Sequence, residues 1–127
     1  DEDGVVFVSS LLRSASADTI ASVSVNLQNP DAAHNYIDAW IDFNRDGDWD
    51  DAGEKIFSKK DLGTTAGNHV LNFTVPHGAD VGTTFARFRL SPDGGLAPTG
   101  FDSLGGEVED YAVTLLAAGA FWCADVG

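Results

Sequence analysis

Residues 36–54 read YIDAWIDFNRDGDWDDAGE. The first eight alternate strictly: Ile37, Ala39, Ile41 and Phe43 fall on one side, Tyr36, Asp38, Trp40 and Asp42 on the other. Successive side chains of a strand point to opposite faces, so this period of two predicts a strand over 36–43 with one face in a core. The pattern recurs outward from there. At 20–27, Ala21, Val23, Val25 and Leu27 share a face, and at 84–90 Ala86, Phe88 and Leu90 lie opposite Phe85, Arg87 and Arg89. Further strands are expected at 4–8, 54–58, 69–75 and 107–116, with clusters of Gly, Pro, Asn and Asp between them. About seven short strands without a sustained helical period predict an all-β chain, folded as an antiparallel β-sandwich. The only helical signal is one turn at 30–35.

The second half of the opening stretch is a loop with its own chemistry. Between 42 and 54 stand six carboxylates and one arginine. Oxygen-bearing side chains at Asp42, Asn44 and Asp46 are spaced by two, and Gly47 and Asp48 follow. Such spacing, with a glycine after the third oxygen, lets a short loop wrap a hard cation, and calcium takes six to eight oxygens. The first half of the loop matches a helix–loop–helix calcium site. The second half departs from it, because Gly53 holds the position where a bidentate glutamate is expected and Glu54 comes one residue later. Strand-like flanks replace the helices. The expectation is a calcium-binding loop joining two strands, with ligands Asp42, Asn44, Asp46, the Asp48 carbonyl, and one or more of Glu54, Glu107 and Asp110. Asp1 and Asp3 are candidates for a second site. Magnesium suits crowded carboxylates less well.

Composition agrees with a cation-holding protein. The chain has 127 residues, 20 acidic and 7 basic, for a net charge of −13. That length is one domain. The charge argues against nucleic acid or an anionic membrane as partner, and no apolar run is long enough to span a bilayer. Cys123 stands alone, so neither an internal disulfide nor a cysteine-rich zinc site is expected. Methionine is absent and no signal sequence opens the chain, which suggests a processed or excised piece. The stretch 117–127, AAGAFWCADVG, lacks periodicity and reads as a tail, linker stub or extra strand beyond a module at 1–116.

A second acidic cluster, GEVEDY at 106–111, opens the last predicted strand. Glu107 and Glu109 would share one face, with Val108 and Asp110 on the other. These carboxylates have two available partners: a cation at the first loop, or the guanidinium forks of Arg87 and Arg89. On the face away from the core, Tyr36 and Trp40 with Asp38, joined by Phe85, Arg87 and Arg89, form a potential sugar-stacking stripe. A polysaccharide, for instance a β-glucan, is the ligand this stripe predicts. The alternative is that a loop covers Trp40. Trp49 is read as an anchor folding the acidic loop onto the sandwich.

No catalytic constellation stands out. His34, His69 and His77 are scattered, no His-Glu-x-x-His run or phosphate loop occurs, and Gly100–Gly105 has one residue too many for a nucleophile elbow at Ser103. A sequon at Asn72 falls in a predicted strand. The chain is expected not to be an enzyme.

Taken together, DEDGV at the start, YIDAWIDFNRDGDWDDAGEKIF, TTFARFRLS, a Gly-rich loop and GEVEDYAV resemble the GEVED-type modules of bacterial extracellular proteins. The likeness runs over roughly residues 1–116. It implies a secreted, non-catalytic, calcium-supported β-sandwich attached to larger surface or hydrolytic proteins. It does not specify a single ligand. A structural or adhesive spacer without a glycan ligand is therefore the alternative function.

Overall fold

A computed structural model describes residues 4–27, 35–49, 51, 53–92, 94–98 and 107–118, with Glu107 described in its backbone only. Eight strands are present: β1 (Gly4–Phe7), β2 (Leu11–Arg13), β3 (Thr19–Leu27), β4 (Tyr36–Ile41), β5 (Lys55–Asp61), β6 (Gly67–Val75), β7 (Gly82–Ser91) and β8 (Glu107–Ala117). They form a three-stranded sheet, β1-β3-β6, and a five-stranded sheet, β2-β8-β7-β4-β5. No helix occurs among the described residues. The β-sandwich and all seven expected strands are found.

One point corrects the sequence reading. β2 was not foreseen, because three residues are too few to show a period. It pairs in parallel with β8, Leu11 opposite Leu115, the one parallel pair among the described residues. The helical turn expected at 30–35, Asn35 apart, and the tail beyond 118 lie outside the described residues.

The alternating residues meet between the sheets. Val23, Val25 and Leu27 of β3, Phe73 and Val75 of β6, Ile37, Ala39 and Ile41 of β4, Ala86 and Phe88 of β7, and Val113 and Leu115 of β8 are all buried in one cluster. An edge-to-face chain of aromatic rings crosses it. Phe57 meets Phe73 at 6.1 Å between centroids, Phe73 meets Phe7 at 6.2 Å, Phe7 meets Phe88 at 5.9 Å, and Phe88 meets Tyr111 at 6.0 Å. Rings at these separations attract beyond their buried area, so the chain stitches both sheets together.

The central strands place the site. β4 lies between β5 and β7, with Asp38 opposite Arg89 and Trp40 opposite Arg87. β7 in turn sets Arg87 opposite Asp110 on β8. The 42–54 loop leaves the end of β4 and returns to β5, and Ile41 donates its N–H to the Glu54 carbonyl at 2.9 Å.

The two faces of β8 differ in what they contribute. Leu115 is fully buried, while its neighbour Leu116 is half exposed. Leu115→Ala is expected to destabilise the fold by about 2–5 kcal/mol, and Leu116→Ala by less than about 0.5 kcal/mol. Urea unfolding of both variants measures the difference.

Candidate metal centre and the covered outer face

The acidic loop is organised from inside by Asp42. Its carboxylate accepts the N–H groups of Asp46 at 3.2 Å and Gly47 at 2.9 Å, and its carbonyl accepts Thr84 Oγ1 at 2.7 Å. Gly47 turns with φ +92°, a conformation that disfavours any side chain. Arg45 also takes a left-handed φ of 55°. Its guanidinium is drawn away from the carboxylates to the carbonyls of Thr83 and Val81.

This geometry gathers Asp46, Asp48, Asp51 and Glu54, each offering one carboxylate oxygen, with these atoms all within 4.8 Å of one another. Glu54 is only 1% exposed. It accepts the N–H of Asn44 at 3.4 Å and of Asp51 at 3.3 Å. Burial, reinforced by the charges of Asp42 and Asp51 and only partly offset by those two N–H groups, pushes its carboxyl up to about 7. Asp51 is also raised: the Asn44 amide, bound at 2.7 Å, lowers it, but Asp46 beside it and burial outweigh that bond. Asp46 is lowered, chiefly by its hydrogen bond with Asp51.

The donor set suits a metal ion. Four carboxylate oxygens, one on a buried side chain pushed toward protonation, are what a hard divalent cation would hold together and neutralise. A groove lined by Asn44, Asp51, Glu54, Pro76 and Gly78 gives access beside Glu54.

The expected ligands fare differently. Asp46, Asp48 and Glu54 lie in the cluster, Asp48 with its side chain rather than the carbonyl alone. Asp42 and Asn44 sit behind it as organisers, because loop amides occupy the Asp42 oxygens and the Asn44 amide is spent on Asp51. Asp51 was missed. Its signal is its place in the run Asp48-Trp49-Asp50-Asp51, three residues before Glu54 and outside the spacing by two of the loop's first half. Asp110 takes the second of the two partners open to it: both its oxygens bind Arg87, at 2.7 Å each, and it lies outside the cluster. That bond raises Arg87. Asp1, Asp3 and the Glu107 side chain lie outside the described residues.

The outer face of the larger sheet is not the open aromatic stripe that was expected. Trp40 is 2% exposed and Asp38 is fully buried. The segment 94–98 lies over Asp38, and Lys55 lies over the Trp40 ring. Asp38 accepts the N–H of Leu96 at 3.1 Å and of Lys59 at 2.8 Å, with Lys55 Nζ at 3.3 Å. Arg89 donates to the Ala97 carbonyl and Arg87 to the Pro98 carbonyl. Gly94 makes the approach possible: a Cβ there would stand 2.8 Å from Tyr36 Cβ. Lys55 lies 5.2 Å over the Trp40 ring, and Lys59 5.3 Å over Tyr36, itself half-buried. Phe85 alone of the proposed aromatics stays open, at 58% exposure. Trp49 acts as the expected anchor, its ring 4.5 Å from the Arg87 guanidinium and its N–H on the Phe85 carbonyl at 3.4 Å.

Two outcomes follow. In chelator, protonated Glu54 stabilises the fold; its carboxyl is raised from 4.5, so that contribution is complete below about pH 4.5 and lost as pH rises through about 7. Thermal melts of metal-free protein should therefore fall between pH 5 and 8, by up to about 3 kcal/mol, and Glu54→Gln should flatten the slope. Asp38→Ala leaves the part-buried Leu96 and Lys59 N–H groups without their acceptor. It should cost about 2–3 kcal/mol and speed hydrogen exchange at both amides.

The GEVED domain family matches residues 36–114, more than half of the chain. No curated protein and no solved structure matches the chain significantly. The matched span runs from β4 to β8, and β1 and β3 complete the same core through pairing with β6. No helix among the described residues is long and apolar enough to cross a membrane. The carboxylate loop falls inside the match, as does GEVED itself at 106–110, and the chain belongs to the GEVED domain family, an extracellular-type module.

Proposed function

We propose that this chain is a non-catalytic accessory module of a secreted protein, that calcium is the ion of its 42–54 loop, and that the ion rigidifies a spacer between attached domains. The observation that carries the reading is Glu54, a buried carboxylate within 4.8 Å of three further acidic oxygens. An all-oxygen, carboxylate-rich cage favours calcium over magnesium, which demands a stricter octahedron and keeps its waters. The ion neutralises the turn from β4 to β5, where Asp42 and Glu54 are both buried. The attached domains carry whatever chemistry the parent protein performs.

A polysaccharide contact is the second reading, supported by a smaller surface than the sequence suggested. Phe85 stands open beside Trp49 and Arg87, an aromatic pair with a guanidinium that suits a sugar ring. Tyr36, Trp40 and Asp38 would then support that surface from beneath the 94–98 segment rather than touch the glycan.

Calcium should raise the melting temperature, with about 4 kcal/mol of added stability at a thousand times the dissociation constant. Magnesium at the same concentration should do less, and Asp46→Asn with Asp51→Asn should abolish the effect. An unchanged melt in calcium and chelator would overturn the metal reading. Affinity electrophoresis in soluble β-glucans separates the two functions: retardation lost in Phe85→Ala supports glycan binding, and unretarded migration supports the spacer.

A further inference from the structure

Among the described residues, every open edge of the two sheets but one is blunted. β1 is four residues long, and its Val5 N–H is taken by the Tyr111 hydroxyl at 3.2 Å. β2 is three residues long, and the part of β8 that it leaves uncovered carries Glu107, Glu109 and Asp110. β5 brings Lys55, Lys59, Lys60 and Asp61, its register with β4 shifts twice, and Lys59 takes a left-handed φ of 47°. Short strands, charges and irregular pairing keep a sheet edge from recruiting another strand. β6, GNHVLNFTV, has none of these devices. It is nine residues long, holds no Asp, Glu, Lys, Arg or Pro, and pairs with β3 in one unbroken register.

The register shows which backbone groups that edge presents. Ser22 donates its N–H to Ser9 Oγ at 2.8 Å, and its carbonyl accepts the Val8 N–H at 3.0 Å, so both groups point away from β6. In an antiparallel pair, opposite residues either turn both groups toward each other or both away, and the sense alternates along the strand. Asn72, opposite Ser22, therefore turns its N–H and carbonyl to the open edge, as do Asn68, Val70 and Thr74. No hydrogen bond among the described residues reaches these groups. Beside Asn72 and Thr74 a groove of about 380 Å³ separates β6 from β5, lined by Ile56, Phe73 and Pro76, with Asp18 at the Thr74 end.

We propose that the β6 edge accepts an extended, cationic peptide segment of another protein, which adds to β1-β3-β6 as a fourth strand. Open backbone groups specify the partner's form. They recur at every second residue, about 6.8 Å apart, and a strand's own N–H and carbonyl groups repeat at that interval. Charge specifies its sign. A body of −13 attracts a cationic segment and repels a second copy of itself, and Asp18 places a carboxylate at one end of the groove. Alternate side chains of the added strand fall into the groove against Ile56 and Phe73, so the segment that fits alternates apolar residues with lysine or arginine. Neither the ion of the 42–54 loop nor the Phe85 surface takes part.

The probe is a fluorescein-labelled peptide of alternating lysine and valine, as long as β6, followed by anisotropy and by amide NMR of the full chain. The expected result is saturable binding, in calcium and in chelator alike, with amide shifts and slowed hydrogen exchange at Asn68, Val70, Asn72 and Thr74. The same peptide N-methylated throughout its backbone keeps its charge and loses its strand donors, and it should bind at least about tenfold more weakly. A glutamate–valine peptide should not bind, and affinity for the lysine peptide should fall between 20 mM and 500 mM NaCl. Val70→Pro removes an outward N–H that the β3 ladder does not use, and Val70→Lys sets a charge at the edge. Both should lose most of the binding with the melting temperature held within a few degrees; if Val70→Pro does not fold, Val70→Lys decides. Equal binding by the N-methylated peptide or by Val70→Lys would overturn the proposal. So would no binding, shifts that map to the 42–54 loop, or a dimer of the chain paired through β6 in place of the peptide complex.

Discussion

Like charge held at close range is the constraint around which this molecule is arranged. Four carboxylate oxygens within 4.8 Å of one another sit at the turn between β4 and β5, and one of them belongs to a buried side chain. At such separations each pair of full charges repels by about 1 kcal/mol in water and about 4 kcal/mol at the effective dielectric of a protein surface. The backbone around the cluster is built to tolerate this. Asp42 spends its oxygens on loop amides, the Asn44 amide binds Asp51, and Glu54 draws two N–H groups. What those bonds leave uncompensated appears as the raised Glu54 and Asp51 carboxyls. A divalent cation is the group whose charge would meet that remainder.

The loop is coupled to the sheet through Arg87. Trp49 brings the loop down onto the guanidinium, Asp110 holds it from β8, and the Pro98 carbonyl caps it. One side chain thus joins the acidic loop, the 94–98 segment and the strand that bears GEVED. That sequence clamps the fold on both sides of β8. Outward, Asp110 pairs with Arg87; inward, Glu109 accepts the Tyr111 hydroxyl, whose oxygen accepts the Val5 N–H. Burial, and then the Glu109 bond, hold the Tyr111 phenol up at about 12, so it stays a neutral donor across the physiological range. Bonding on opposite faces of one strand explains why acidic residues stand at adjacent positions there without crowding one another.

The molecule therefore divides its labour between two outer faces. On the larger sheet, buried charge is satisfied by the neighbouring strand and a covering segment: Asp38 by the amides of Lys59 on β5 and of Leu96, and Arg89 by the Ala97 carbonyl. On the smaller sheet no strand carries an Asp, Glu, Lys or Arg, and valines stand open. A cover built of backbone carbonyls and amides suits a charged face, since each polar atom finds a fixed partner there.

What the sequence by itself determined was parity and chemistry: which residues of 20–27, 36–43 and 84–90 face the core, where the strands fall, and that a carboxylate loop joins two of them. These are local properties, set by the pleat of a strand and by spacing along a few residues. The tertiary structure decided the rest. Trp40 and Asp38 face away from the core as their parity requires, yet they are buried: Lys55 lies over the Trp40 ring, and a segment almost sixty residues later folds over Asp38. Asp110 had two possible partners at the level of sequence, and the β7–β8 register gave it to Arg87. Asp51 joined the acidic cluster, and Asp42 left it, through the path of the turn. β2 was invisible because three residues acquire a strand's identity only from the neighbour they pair with. Partnership between distant segments carries no period of its own, so it is read only when the chain has folded.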